Sequence, residues 1–323
     1  MPSNDYSIFK LNKKQQLQAI LIGETPEYPP HFELLFFLEK EYLGFDRPAF
    51  NDSNPEAAVA SEKDLEIKTY LVERLGWAAV FAGSLLKNVD RFAQTQILKK
   101  QLGNKTLIFD FNGDGVFWMP SGTDIMDFVV KLFERPQEMH AEARQKLTVA
   151  KELAKQQHDA GVDFLIQNSD FGFNSGPFIS PEHFAEFVTP YMTEFVAYVH
   201  ELSLPVILHS DGNIKKILDQ LYHTGVDGYQ SVDPQGFMDI KSVRQQYPDW
   251  ILMGNVACNL LQDVDELQIR ESVRYCMEHG GIEKRYIFSS SNCIFEGMPP
   301  ESYNIMLDEY KLLCRKGIKN AIP

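Results

Sequence analysis

The chain has 323 residues, a length that fits one large α/β barrel or two ordinary domains. Its hydrophobic content of 44% and charged content of 24% are typical of a folded globular protein that buries a large core. The formal net charge of -14 excludes most nucleic-acid partners, because binding to phosphates requires a basic surface.

No stretch approaches the roughly 20 apolar residues of a membrane span, and the polar N-terminal stretch lacks the apolar segment of a signal peptide. We therefore expect a cytoplasmic protein without a membrane partner. The four cysteines contain no Cys-x-x-Cys pair, and in that compartment we expect them to be thiols. The sequence leaves the oligomeric state open, a homo-oligomer included.

The first part of the chain is irregular. The elements predicted there are a helix over Leu11–Ile22, a proline-rich turn over Thr25–Pro30, a helix or irregular lid over Phe32–Tyr42, and a loop over Phe45–Glu56. A helix over Ser61–Leu75, with Ser61 as its cap, and a strand over Trp77–Ala82 follow. We interpret residues 1–60 as a cap on the domain formed by residues 61–323, within one single-domain chain of residues 1–323.

Lys105–Met119 has the pattern of a β-hairpin inserted into this domain at about residues 105–119. Asp110, Asn112, Asp114 and Gly115 also match the start of a calcium-binding loop. Its twelfth position is Ser121 instead of glutamate, and strands flank it, so a hairpin turn explains the pattern better.

Short apolar strands then alternate with helices. The predicted helices are Asp124–Glu134, Gln137–His158, Ser180–Glu201, Ile214–His223, Met238–Gln246, Val264–His279 and Pro300–Arg315. The predicted strands are Val162–Gln167, Pro205–His209, Val226–Tyr229, Ile251–Met253 and Arg285–Phe288. This alternation predicts a parallel sheet covered by helices, and the length favours a closed (β/α)8 TIM barrel.

Side chains able to bind a metal follow two of these strands. His209 and Asp211 end the central strand two residues apart, so they face the same side while the chain stays extended. Cys293 follows the last strand, and all strands of a parallel barrel end at one face. Imidazole, carboxylate and thiolate are zinc ligands, and three of them leave a position open. The alternative is a histidine bonded to backbone, a capping aspartate and a buried thiol.

Other polar residues follow the strands at the same face, where binding sites form. Asp170 is either a general acid or base that orients substrate, or a carboxylate that accepts loop N–H groups. Asn213 and Asn255 have the sequence context of turns, and in a site they would act as a catalytic residue and a substrate contact. The remaining candidate substrate contacts are Phe171, Gln230 and Asn292.

Four segments form a recognisable set: QNSDFGFNSGPFISP at Gln167–Pro181, Pro190-Tyr191, VILHSDGNI at Val206–Ile214 and SSSNC…MPPE at Ser289–Glu301. Together they resemble the uroporphyrinogen decarboxylase (URO-D) superfamily, and within it the corrinoid-linked methylcobamide:coenzyme M methyltransferase type. The resemblance runs from about residue 160 to the C-terminus. The segment Lys13–Pro30 looks like that branch's opening helix and turn.

The resemblance implies a TIM barrel with a His-x-Cys zinc motif and a distant cysteine. His209 matches the histidine and Cys293 the distant cysteine, while Asp211 stands where the middle cysteine would be. The implied reaction moves a methyl group between a corrinoid (cobalamin) on a partner protein and a small thiol or methylated substrate. Phe171 would then belong to the wall of the pocket.

Two alternatives stay open. The decarboxylase branch binds a polycarboxylated tetrapyrrole without metal, but its N-terminal arginine-glycine signature is absent here, and the net charge of -14 repels a polyanion. Asn292-Cys293 also replaces that branch's Gly-His pattern. The second alternative is a barrel that binds a corrinoid or small molecule without turnover, because a fold alone does not establish chemistry.

Overall fold

The computed structural model of the protein describes residues 10–45, 57–83, 90–112, 120, 122–281 and 284–321. Seven parallel strands form a curved sheet: β1 (Ala79–Phe81), β2 (Leu107–Phe111), β3 (Phe164–Asn168), β6 (Val206–His209), β7 (Gly228–Ser231), β8 (Ile251–Val256) and β9 (Tyr286–Ser290). A two-stranded antiparallel hairpin, β4 (Gly172–Phe173) and β5 (Gly176–Pro177), follows β3.

Helices connect the strands in the predicted alternation. They are α1 (Lys13–Leu21), α2 (Glu39–Leu43), α3 (Ala57–Glu73), α4 (Arg91–Leu102), α5 (Ile125–Glu134), α6 (Pro136–Ala160), α7 (Pro181–Phe187), α8 (Thr189–Glu201), α9 (Leu218–His223), α10 (Ile240–Gln246), α11 (Glu266–Gly280) and α12 (Pro300–Ala321). The sheet order is β1-β2-β3-β6-β7-β8-β9, and every neighbouring pair is parallel. This confirms the α/β class, although the described strands do not close into a full barrel.

Local sequence explains where several helices begin and end. The Ser180 side chain accepts a hydrogen bond from the His183 N–H, and Pro181 is the first residue of α7, as predicted. The helix predicted to continue to Glu201 is broken at Val188 into α7 and α8. α6 starts at Pro136 and ends before Gly161, whose φ of 98° suits glycine.

Two predictions for the N-terminal half were wrong, and one helix was not predicted. Leu107–Phe111 is not a hairpin arm but the sheet strand β2, with parallel neighbours on both sides, while the predicted second arm and part of the calcium-like motif lie outside the described residues. Ser61 lies inside α3 and cannot be its cap. The sequence analysis also missed α4, whose buried residues include the polar Gln94 and Thr95 beside Leu98 and Leu102.

The segment from Pro30 to Phe37 is irregular, which excludes the helix predicted as one alternative for it, and it runs beside the sheet. The Pro30 carbonyl accepts from Phe288 N of β9 at 2.9 Å, and the His31 carbonyl accepts from Ala78 N, next to β1, at 2.8 Å. This segment therefore hydrogen-bonds to residues at both edges of the sheet. Of the predicted lid, Glu39–Leu43 alone is α-helical.

Aromatic side chains fill the concave side of the sheet. Phe32 packs against Phe109 of β2 and Phe164 of β3, with ring centroids 5.4 and 5.9 Å apart. All three are fully buried, and burying each phenyl ring stabilises the fold by roughly 1.5–3 kcal/mol. The N-terminal segment is therefore part of the core.

The four cysteines are buried thiols, as expected. None of the helices in the described ranges has both the length and the apolar composition needed to cross a bilayer.

Candidate metal centre at the carboxyl end of the sheet

Adjacent strands place the candidate residues next to each other. His209 is the last residue of β6 and pairs with Asn168 of β3 on one side and with Gln230 of β7 on the other. Asp170 follows β3 by two residues, and Asp211 follows β6 by two residues. The parallel register therefore brings the carboxyl ends of three neighbouring strands, β3, β6 and β7, together on one side of the fold.

Three glycines allow the loops after these strands to touch. A β-carbon on Gly212, where φ is +76°, would overlap the backbone of Gly172, and one on Gly236 would overlap the backbone of Gly212. The loops after β3, β6 and β7 thus stack through backbone atoms, an approach that side chains would block.

The His209 imidazole lies between two carboxylates. Its Nε2 atom is 3.6 Å from Oδ1 of Asp170 and 3.9 Å from Oδ2 of Asp211. One potential ligand atom from each of the three residues lies within 4.8 Å of the others. His209 and Asp211 are two of the three predicted metal ligands, and Asp170, predicted to act on substrate, completes this group.

Neutral hydrogen-bond donors hold the Asp211 carboxylate. The Ser231 hydroxyl donates to Oδ1 at 2.7 Å, and the Asn292 amide donates to Oδ2. Burial raises the Asp211 pKa above its usual range, and the nearby Asp170 and Asp233 raise it further, while His209 and the Ser231 hydrogen bond oppose the rise.

This cluster carries excess negative charge. Asp170, Asp211 and Asp233 lie close enough for the two others to raise the pKa of Asp211. Among the described residues, His209 is the sole basic side chain within 4 Å of the Asp170 or Asp211 carboxylate. A bound divalent cation would compensate this charge, so the donor set fits a metal.

Cys293 lies nearby but outside this group. Its side chain is buried, and burial, followed by the influence of Cys258, Glu33 and Asp211, raises its pKa well above that of an ordinary thiol. A bound metal would itself deprotonate a coordinating thiol, so this environment does not decide the ligand role of Cys293, which stays a prediction.

The other predicted site residues have mixed placements. Gln230 and Asn292 contact His209 and Asp211, respectively. The Asn213 side chain accepts from Lys215 N at 3.3 Å, which is the turn geometry expected of it. Phe171 packs edge-to-face on Phe184 of α7 with ring centroids 5.0 Å apart. The Asn255 amide nitrogen donates to the Val232 carbonyl, and its oxygen accepts from the Cys276 thiol at 3.7 Å.

Sequence reasoning missed Ser231, whose hydroxyl holds Asp211. Its backbone has φ = 97° and the next residue, Val232, has φ = 44°, both rarely adopted by residues other than glycine. Such strain is concentrated at functional sites in proteins. In the sequence, the feature that could have identified Ser231 as a site residue was its position at the end of β7, directly after Gln230.

Comparison with known proteins agrees with this architecture. The family model for uroporphyrinogen decarboxylase (URO-D) matches residues 94–312. The chain belongs to the URO-D family. This membership covers the strands from β2 to β9 and therefore every residue of the candidate centre.

A solved methyltransferase structure shows the same fold. A methyltransferase from Methanosarcina mazei superposes with a TM-score of 0.75 at 16% identity, covering 94% of this chain and 99% of that one. An N-acetylneuraminate lyase from Mycoplasma synoviae gives a TM-score of 0.47 at 13% identity, covering 91% and 78%. No curated protein matches significantly. At these identities the likeness establishes the fold of this URO-D family member and no activity.

Proposed function

We propose that this URO-D family protein is a metal-dependent methyltransferase that moves a methyl group between a corrinoid on a partner protein and a small thiol or methylated substrate. The observation that carries the proposal is the group formed by Asp170, His209 and Asp211, two carboxylates and an imidazole without a Lys or Arg counter-ion among the described residues. The methyltransferase from Methanosarcina mazei with the same fold supports it.

Zinc is the ion we propose, held by Asp170, His209 and Asp211. When bound, it would lower the pKa of a coordinated thiol or polarise a methylated substrate, which is the chemistry that methyl transfer needs. The protein itself holds the metal-ligand side chains in place. Gln230 of β7 accepts from His209, while Ser231 of β7 and Asn292 in the loop after β9 donate to Asp211.

Asp170 differs from the other two donors in its exposure. About half of its side chain is exposed, compared with 7% for His209. We infer that substrate approaches from the Asp170 side, where the carboxylate can orient it. The His209 imidazole is buried, and the Asp211 side chain is 31% exposed.

We further propose that the sheet belongs to a (β/α)8 barrel in which the segment around His31 takes the eighth position. Its hydrogen bonds to Phe288 and Ala78, at the two edges of the sheet, support this assignment. The open carboxyl end of such a barrel is where active sites form.

Tetrapyrrole decarboxylation is the second candidate, and membership of the URO-D family favours it. The charge at the site argues against it, because a polycarboxylate would meet Asp170, Asp211 and Asp233. Two of the described arginines are already engaged within the protein itself. Arg91 forms an ion pair with Asp110, and Arg285 donates to the backbone carbonyls of Ile20 and Asp249.

The experiment that tests the proposal uses zinc-loaded protein, methylcobalamin and coenzyme M. We expect loss of the methyl-cobalt absorbance together with formation of the methyl thioether, and we expect neither with the His209→Ala variant. A parallel incubation with uroporphyrinogen should give no product with fewer carboxyl groups. Decarboxylation without methyl transfer would reverse the ranking. Binding of corrinoid without either reaction would favour a non-catalytic barrel.

A further inference from the structure

Gln230 occupies an unusual position for a polar side chain. It is fully buried at the end of β7, where it pairs in register with His209. Both ends of its amide are used: Oε1 accepts from Nδ1 of His209, and Nε2 donates to the Ser291 carbonyl at 3.4 Å. The amide therefore connects β6 to the loop after β9.

This contact determines which nitrogen of His209 carries the proton. Because the amide nitrogen of Gln230 is directed at a carbonyl, its oxygen faces the imidazole, and an oxygen can only accept. The neutral ring must then be protonated on Nδ1. The lone pair is on Nε2, the atom that lies 3.6 Å from Asp170 and 3.9 Å from Asp211.

We propose that Gln230 is a positioning residue that fixes the His209 tautomer and so presents Nε2 to the metal site. This inference rests on the proposed function for its metal readout, but the tautomer itself is a property of the metal-free protein. With Nε2 already unprotonated, neutral His209 can accept a metal without changing tautomer or rotating its ring.

Two Gln230 variants separate hydrogen bonding from packing. Gln230→Leu keeps a similar volume and removes the acceptor, whereas Gln230→Glu keeps an acceptor opposite Nδ1. Gln220→Leu is the matched control, since that amide also accepts from a side chain, Thr189 Oγ1 at 2.9 Å, and donates to a carbonyl, that of Pro181 at 2.9 Å. Gln220 lies on α9, away from the metal group.

The first measurement is the ¹⁵N chemical shifts of the His209 ring in metal-free protein. We expect the Nδ1–H form in the wild type, in Gln230→Glu and in Gln220→Leu, and a mixture with the Nε2–H form in Gln230→Leu. An unchanged tautomer in Gln230→Leu, or the Nε2–H form in the wild type, would overturn the inference whether or not the protein binds metal.

The second measurement is zinc affinity by competition with a chelator. Loss of a hydrogen-bond partner of a metal ligand typically weakens binding about 10–100-fold, and we expect this loss in Gln230→Leu. Gln230→Glu should recover most of it, and Gln220→Leu should match the wild type. Equal affinities in Gln230→Leu and the wild type would contradict the positioning role. Absence of zinc binding in the wild type would defeat the proposed function, while the tautomer result would still decide this inference.

Discussion

The main-chain N–H of Asp211 donates a 3.0 Å hydrogen bond to Oδ1 of Asp170. This bond fastens the loop after β6 to the loop after β3 through a carboxylate that also faces His209. Asp170 therefore has two partners in the structure, a backbone amide and an imidazole. A metal held by this group would use a carboxylate that the fold already orients.

The choice of ligands gives the first prediction. Asp211→Asn and His209→Ala should each weaken zinc binding by more than the roughly 10–100-fold effect typical of outer-shell changes, because the first removes the negative charge of a ligand and the second removes the imidazole. Cys293→Ser should bind zinc within a few-fold of the wild type, because the Cys293 side chain lies outside the group formed by Asp170, His209 and Asp211. Chelator competition measures all three, and a large loss in Cys293→Ser would show that sulfur is a ligand.

The donors to Asp211 give the second prediction. Ser231→Ala removes the 2.7 Å hydrogen bond to Oδ1 of Asp211 and should weaken zinc binding by roughly 10-fold or more. Ser242→Ala is a suitable control, because its hydroxyl donates to Asp239 at 2.6 Å at the start of α10, away from the site. The hydroxyl of Ser231 would have no role in the site if both variants bound zinc equally well.

The glycine contacts give the third prediction. Gly212→Ala places a β-carbon where the backbone of Gly172 lies and also forces a non-glycine residue to a φ of +76°. Gly23→Ala meets a similar φ of +87° with no atom within 4 Å, so it isolates the conformational cost of about 1–3 kcal/mol. Thermal unfolding should show Gly212→Ala to be the less stable variant. Equal melting temperatures would mean that the loops can separate at little cost.

The buried Glu33 gives the fourth prediction. Burial raises its pKa to about 8 from 4.5, although Ser290 donates hydrogen bonds to the carboxylate from its hydroxyl at 2.6 Å and its N–H at 2.9 Å. The folded state therefore holds this proton more tightly than the unfolded state. Its stabilising contribution is complete below about pH 4.5 and is lost as the pH rises through 8.

Glu33→Gln tests this pH dependence, because an amide can keep partners in Ser290 without titrating. Between pH 5 and 8 the wild-type stability should fall more steeply than that of Glu33→Gln, by up to about 1.4 kcal/mol per pH unit. Glu73→Gln is the control, since Lys105 lowers the pKa of Glu73 and the carboxylate stays ionised over this range. Urea unfolding midpoints at several pH values measure the slopes, and parallel wild-type and Glu33→Gln curves would contradict the assignment.

The sequence was most informative where one physical rule dominates. Short apolar runs between amphipathic helices predicted β3 and β6 to β9, because strands buried on both faces need continuous apolar sequence. The i, i+2 spacing of His209 and Asp211 likewise predicted that both reach one site. These inferences needed only local pattern and the common direction of parallel strands.

The remaining features depend on contacts distant in sequence. Nothing local to His31 indicates that its carbonyl bonds to Ala78 while its neighbour bonds to Phe288. Asp170 lies beside His209 and Asp211 because the loops after β3 and β6 stack through glycine, a tertiary contact that spacing does not encode. The bond between Gln230 and His209 likewise follows from strand register, which only the folded sheet defines.

X-ray absorption at the zinc edge of the purified, zinc-loaded protein tests the central claim most directly. We predict one zinc per chain, with a first shell of nitrogen and oxygen at about 2.0–2.2 Å from His209, Asp211 and Asp170. Sulfur scattering at about 2.3 Å that disappears in Cys293→Ser, or protein that retains no zinc, would contradict the account.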